Sequence, residues 1–401
     1  MKTKRKWACV LLALVILMTL VTDAEARHKR VRKKRVVNRA APAHIAPRLA
    51  IPPQSPPQGP YATAILVDAD SGRVLFSKDS ADPRPPASMV KMMVALLAFE
   101  ALERGDIRLR DSVLIGRAAS RTGGSGVLLK AGERLPFEDL LKAMIVASAN
   151  GASVAIADAL AGSQLAMISR MNERAKELDM SETVYRTVNG LPPTRGKGLP
   201  DMSSAKDLAL LARKLLAHRE VFRYSAQPYV PIRDGKVLLR NTNHLIGHMD
   251  GADGLKTGYF RRAGFNLTAT AARNDIRLVA VVMGCPTLHT RFLVAQQLME
   301  WGFAHFSKLK VVEAGQPLSF EVKIANGAAA SLRPVAAETL TYLVRNEDKN
   351  DLHVTFQLPA IVSAPITKHQ ELGEIIVRDQ EKILDVIPAI SPVDVASGSA
   401  F

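Results

Sequence analysis

The run from Ser88 to Leu102 constrains the fold of this 401-residue chain more than any other segment. Met, Leu, Val and Ala fill nearly all of it, Lys91 interrupts it one turn in, and Gly105 closes it. A helix that is apolar nearly all round is stable only when other elements cover it. Pro85-Pro86-Ala87 stops whatever precedes and leaves Ser88 at the helix start. The chain must therefore build a covering layer around one buried helix that carries a serine and a lysine three positions apart.

Other elements supply the cover. Ala62 to Val67 and Arg73 to Phe76 read as strands around the turn residues Asp70-Ser71-Gly72. Pro136 to Val146 and Ala152 to Leu160 show helical spacing, and Ser163 opens a helix to Leu178. Ser204-Ala205-Lys206-Asp207 has capping-box-like spacing before Leu208, Leu211 and Leu215. Phe265 to Ala271 and Leu278 to Met283 flank Arg273-Asn274-Asp275 as a hairpin, and His289 to Phe306 forms a last amphipathic helix. Outer strands with a helical block between them predict an α+β domain over 61–308. Beyond it, Leu318 to Ile324, Thr339 to Val344, His353 to Leu358 and Glu374 to Val377 are short extended runs. They predict a small all-β domain over 312–401.

The net charge of +16 suggests nucleic acid until its location is examined. Residues 1–60 carry 13 Lys/Arg against Asp23 and Glu25, so eleven of the sixteen charges sit there and the body is mildly basic. No nucleic-acid partner is expected. Lys2, Lys4, Arg5 and Lys6 precede an apolar stretch from Trp7 to Val21 and then Asp23-Ala24-Glu25-Ala26. This order matches a secretory signal peptide over 1–26, so export to the periplasm or the wall side of the membrane is expected. Eight Lys/Arg between Arg27 and Arg39 resist translocation and leave an uncleaved N-terminal anchor as the alternative. Residues 27–60, basic and then proline-rich, read as a disordered tether. Its basic part over 27–39 is either a solvated spacer or a contact for anionic membrane or wall polymer. Removing the leader takes Cys9 and leaves Cys285 alone, and no Cys/His metal spacing appears.

Three S-x-x-K matches occur: Ser88–Lys91, Ser203–Lys206 and Ser307–Lys310. Ser307–Lys310 falls where a helix ends in charged residues, and Ser203 falls at a helix cap, where serine usually serves the backbone. Ser88–Lys91 alone follows a rigid turn and starts an apolar helix. Positions i and i+3 share a helix face, so Lys91 reaches the Ser88 hydroxyl. A serine needs a base to become a nucleophile, and a desolvated lysine can be one. Ser148-Ala149-Asn150 is the sole S-x-N, between two apolar helices; alone it also reads as a turn with a helix cap. Lys256-Thr257-Gly258 is the sole K-T-G and alone also reads as an edge strand with an exposed lysine. The three in this order form the signature set of penicillin-binding proteins and serine β-lactamases.

With Pro86-Ala87-Ser88-Met89-Val90-Lys91-Met92-Met93, Met171-Asn172-Glu173-Arg174-Ala175, Asn189-Gly190-Leu191 and Asp253-Gly254-Leu255-Lys256-Thr257-Gly258-Tyr259, the chain from Tyr61 onward resembles the low-molecular-mass D-alanyl-D-alanine carboxypeptidases of the penicillin-binding type. The segment from Ala364 to Gly373 resembles that family's C-terminal β-domain. The resemblance implies a transpeptidase-like domain acting on peptidoglycan D-Ala-D-Ala peptides and blocked by β-lactams, with no cofactor. It implies Ser88 as nucleophile, Lys91 as its base, Ser148 as proton relay and Asn150 as support. Lys256 and Thr257 would grip the substrate carboxylate, and the N–H groups of Ser88 and Tyr259, beside Gly258, would form the oxyanion hole.

The chain also departs from the family. Gly151 follows S-x-N where an acidic residue is usual, Tyr259 replaces a frequent His, and Ile387 to Phe401 lacks the amphipathic face of a membrane anchor. His244 and His248 are four apart but straddle Gly247, so no metal site is expected. Gly123-Gly124-Ser125-Gly126 reads as a turn, and Arg261 and Arg262 as a solvated strand end or, alternatively, as cations that draw substrate carboxylates. The rivals are a D,D-endopeptidase or β-lactamase on the same scaffold, and a non-catalytic wall-binding protein.

Overall fold

The computed structural model describes residues 55–192 and 198–398. The expected signal peptide, the basic stretch over 27–39 and most of the tether lie outside the described residues.

Strands β1 (Thr63–Asp68) and β2 (Val74–Lys78) pair antiparallel, as the flanking turn residues predict. A 3₁₀ turn over Ala87–Val90 leads into α1 (Lys91–Arg104), which ends on Gly105 with φ 76°. A Cβ is disfavoured there, so glycine makes the stop. The helical block follows. Strand β3 (Ser112–Leu114), the short helix α2 (Arg117–Arg121) and β4 (Arg134–Pro136) precede α3 (Phe137–Ile145) and α4 (Asn150–Ala161). Helix α5 (Gln164–Glu177) is capped by Ser163, whose hydroxyl accepts from Ala166 N. Helix α6 (Ala205–Ala217) is capped by Ser204, which accepts from Asp207 N at 3.0 Å. The cap is thus Ser204, not the expected Ser203, which bridges Arg84 and bonds Thr183.

After α7 (Phe222–Ser225) and the hairpin β5 (Tyr229–Ile232) and β6 (Val237–Arg240) come the long strands β7 (Ala252–Phe260), β8 (Gly264–Arg273) and β9 (Ile276–Cys285). Helix α8 (Leu288–His305) closes the domain. The main sheet runs β2-β1-β9-β8-β7, antiparallel throughout, with β7 at one edge. Leu, Met and Ala of α1, α3, α4 and α6 pack on one face with Val279, Val281 and Met283. Leu298, Met299 and Trp301 of α8 cover the other face with Leu267, Ala269 and Val282. Side chains alternate along each strand, so this sheet is buried on both sides and its strands read as continuous apolar runs.

Ser307–Lys310 lies within β10 (Phe306–Val312), not at a helix end, because α8 passes into an extended chain at Phe306. Strand β10 crosses the expected boundary and pairs with β14 (Leu340–Arg345). Of the run Leu318 to Ile324 only its end is a strand, β11 (Val322–Ala325). The C-terminal part is all-β. Strand β11 lies between β12 (Ser331–Leu332) and β16 (Ile361–Ser363). A four-stranded sheet runs β13 (Val335–Ala336), β18 (Lys382–Ile390), β17 (Glu371–Asp379) and β15 (Leu352–Gln357).

Candidate active site

Ser88 sits in the 3₁₀ turn that feeds α1, and Lys91 is the first residue of the α-helix proper. The spacing does what i, i+3 implies: Lys91 Nζ donates to Ser88 Oγ at 2.8 Å. The same ammonium donates to Asn150 Oδ1 at 2.7 Å and to the Asn189 carbonyl at 2.8 Å. Lys91 is 1% exposed. Burial pushes its pKa well below 10.5, the nearby Lys256 cation pushes it further, and Asp201 opposes them. A desolvated amine held against a hydroxyl has the character of a base.

Asn150 begins α4, and Ser148 forms the preceding turn in the left-handed region at φ 59°. Both are buried. A left-handed non-glycine residue costs free energy and persists only where its surroundings hold it. Asn150 is fixed at three points: its Oδ1 on Lys91, its Nδ2 on the Gly123 carbonyl at 2.8 Å, and its N–H on the Ser125 carbonyl at 3.0 Å. The Gly123-Gly124-Ser125-Gly126 turn is thus part of the site. A Cβ at Gly124 would lie 2.6 Å from Asn150 Nδ2, and one at Gly126 2.5 Å from Ala149 Cα. The glycines let this turn lie on the S-x-N segment.

The edge strand β7 brings the third motif. A Cβ on Gly258 would meet the Pro86 carbonyl at 2.3 Å, so only glycine lets β7 pass against the turn that carries Ser88. Lys256 is 3% exposed, its nearest acceptor is the Thr257 carbonyl at 3.2 Å, and burial with the Arg291 charge lowers it to about 7. Thr257 donates to Thr242 Oγ1 at 3.0 Å. Tyr259 is half exposed and stacks on Phe265, with 4.1 Å between ring centroids, which turns its ring toward the α8 side of the sheet.

Three residues without a motif complete the surroundings. Asn189 supplies the carbonyl under Lys91. Asn266 on β8 donates to the Pro85 carbonyl at 3.0 Å and pins the proline turn to the sheet. Arg291 on α8 is 5% exposed, reaches the Gly258 and Asn266 carbonyls at 3.3 Å, and lies over Phe292 and Phe265. Burial lowers its pKa to about 10, and no carboxylate pairs with it among the described residues. Asn189-Gly190 was visible as a segment, and the other two lie inside a strand and a helix without any local pattern. His244 stacks on Phe292, and the described residues hold no group of three or more His, Cys, Asp or Glu suited to a metal. Arg261 and Arg262 are exposed in the β7–β8 turn.

Residues 53–287 match the family model described as D-alanyl-D-alanine carboxypeptidase, and residues 306–397 match the C-terminal domain of penicillin-binding protein 5. The D-alanyl-D-alanine carboxypeptidase DacF of Bacillus subtilis is 33% identical over 336 residues, covering 83% of this chain and 85% of its own. DacC of Escherichia coli is 31% identical over 345 residues, 84% of each. The crystal structure of penicillin-binding protein 5 from Haemophilus influenzae superposes with a TM-score of 0.69 at 28% identity, over 86% of this chain and 99% of that one. Penicillin-binding protein D2 of Listeria monocytogenes in its ampicillin-bound form gives 0.55 at 30% identity, over 62% of this chain and all of that one.

Proposed function

The chain belongs to the family of D-alanyl-D-alanine carboxypeptidases, and from that premise we infer which of its residues carry each step. It is a serine D,D-carboxypeptidase of the penicillin-binding type, which removes the terminal D-Ala from peptidoglycan stem peptides and is inhibited by β-lactams. The observation that carries the residue assignment is the 2.8 Å contact between Ser88 Oγ and a lysine that burial drives toward its neutral form.

Neutral Lys91 takes the Ser88 proton as Oγ bonds to the carbonyl carbon of the D-Ala-D-Ala amide. The developing oxyanion is received by the N–H groups of Ser88 and Tyr259, which the close passage of β7 over the proline turn supports. As the oxygen re-forms its double bond the C–N bond breaks, and the leaving amine takes a proton that Ser148 relays from Lys91. D-Ala departs and the rest of the peptide stays as an ester on Ser88. Water adds to the ester and gives its proton to Lys91; the C–Oγ bond breaks and Ser88 recovers its hydrogen. Lys256 and Thr257 grip the terminal carboxylate. Arg291 adds a second buried cation behind Gly258, one that has no paired carboxylate among the described residues. A β-lactam replaces the terminal dipeptide and leaves Ser88 acylated.

The substrate class, the basic-apolar start and the Ala24-Glu25-Ala26 site together support export, so the catalytic body works on the wall side of the membrane. Residues 27–39, with eight Lys/Arg, would contact anionic lipid or wall polymer.

The test uses the chain from residue 27 with fluorescent penicillin and with a D-Ala-D-Ala peptide, beside Ser88→Ala. A long-lived label and released D-Ala, both absent from the variant, are expected. Neither signal in the unsubstituted protein would refute the assignment, and rapid penicillin turnover would reassign the chain to the β-lactamase branch of the scaffold.

A further inference from the structure

Asp201 lies outside all three motifs, yet it is 2% exposed and tied to the site. Its Oδ1 accepts from Arg186 N at 2.6 Å and Thr187 N at 2.8 Å, and its Oδ2 accepts from Thr187 Oγ1 at 2.7 Å. Thr187 Oγ1 in turn accepts from Gly190 N at 2.8 Å. These bonds fold residues 186–190 into one turn, and that turn bears on the nucleophile. Gly190 has φ 77°, and a Cβ there would lie 2.1 Å from the Ala87 carbonyl and 2.9 Å from Ser88 N. The Asn189 carbonyl between them receives Lys91 at 2.8 Å.

We propose that Asp201 is a positioning residue for acylation, which holds the Asn189 carbonyl against Lys91 through the 186–190 turn and whose negative charge favours the protonated form of that lysine. The proposal rests on Lys91 being the acylation base. The charged groups acting on Lys91 are Lys256 from β7, which disfavours its protonation, and Asp201 from the segment before α6, which favours it. Burial raises the Asp201 pKa, the hydrogen bonds from Arg186 N, Thr187 Oγ1 and Thr187 N oppose that rise and favour the carboxylate, and no cation pairs with it at contact distance among the described residues. A hydrogen bond and a charge make separable contributions: the first fixes geometry at every pH, and the second moves a titration.

The experiment measures kcat/KM for D-Ala release and the rate of penicillin acylation from pH 4 to pH 9. The unsubstituted protein serves as control, since no acylation there, or no acid limb, would refute Lys91 as base before Asp201 is questioned. Asp201→Asn removes the charge and keeps an acceptor. Its acid limb should move down by about half a pH unit or more, because Lys91 loses its proton more easily. Thr187→Val breaks the relay to Gly190 and keeps the charge; its plateau should fall about tenfold with the limb in place. An unmoved limb in Asp201→Asn overturns the electrostatic role. An unchanged plateau in Thr187→Val overturns the positioning role whether or not Asp201→Asn folds, and a limb moved as far as in Asp201→Asn overturns the division of labour.

Discussion

Two lysines share one site, and the proposed mechanism needs them in opposite states. In that mechanism Lys91 would be neutral to take a proton, and Lys256 charged to hold a carboxylate. Burial lowers both, but among the described residues Lys91 has three acceptors whereas Lys256 has the Thr257 carbonyl alone, at 3.2 Å. The folded-state pKa of Lys256, about 7, lies below its ordinary 10.5, so keeping the ammonium charged costs stability at acidic and neutral pH. That cost is complete below about 7 and fades as the pH rises toward 10.5. Lys256→Met should therefore abolish peptide turnover yet raise the melting temperature at pH 6 by about 2–4 °C, the shift for about 1 kcal/mol. A lowered melting temperature would show that this lysine is a structural support. Lys256→Arg keeps its charge through the alkaline range, so the alkaline limb of kcat/KM should move to higher pH even where the plateau drops. The three motif segments were legible because each needs particular residue types in fixed order. Asn189 was legible only within the Asn189-Gly190-Leu191 segment, and Asn266 and Arg291 were not legible at all, since they act from a strand interior and a helix face. No spacing rule marks these.

At the scale of elements, glycine decides how closely segments approach Ser88 and Asn150. Gly151 follows the S-x-N motif, and a Cβ there would meet the Ala119 carbonyl of α2 at 2.6 Å and Leu129 Cδ1 at 3.2 Å. The acidic side chain usual at this place in the family is thus excluded by the approach of α2 to α4. Gly151→Asp should destabilise by about 1–3 kcal/mol through overpacking and slow acylation through the displaced Asn150, read by thermal melting beside penicillin labelling. A variant that melts and labels like the parent would mean that α2 yields freely. Helices α3 to α6 and the β8–β9 hairpin were legible within a few residues because apolar spacing, serine caps and Asn274-Asp275, both at positive φ, all agree. Strand β10 was not, because no glycine or proline separates it from α8 and Lys308 and Lys310 mimic a basic helix end. Strand β18 was hidden by Pro388, which cannot donate to a ladder and so counts against an interior strand.

Across the whole described body, the catalytic and β-rich parts share apolar core as well as surface contacts. Phe306 at the start of β10 and Leu343 on β14 both belong to the cluster under α8, and Phe306 meets the Trp301 ring edge-on at 5.6 Å. Arg73 reaches the Leu343 carbonyl at 2.6 Å, and Lys308 pairs with Asp70 at 2.8 Å. The two kinds of contact differ in weight. An exposed ion pair is worth about 0–1 kcal/mol, because it exchanges good hydration for a screened attraction. Truncating a buried phenylalanine costs about 3–5 kcal/mol through lost transfer energy and the cavity left behind. Phe306→Ala should therefore lower the melting temperature of the catalytic domain itself and pull the β-rich part out of the common transition. Lys308→Ala should leave a single transition within about 1 °C of the parent. Calorimetry of both variants, with penicillin labelling to mark the folded site, decides it. Two separate transitions in the unsubstituted protein, or equal shifts in the two variants, would show that the apolar seam does not couple the parts. The coupling has a consequence for catalysis: α8 carries Arg291 behind Gly258 and Phe306 follows its last turn. Loosening the seam should then reach the carboxylate grip before it reaches Ser88, so Phe306→Ala is expected to raise KM more than it lowers the acylation plateau.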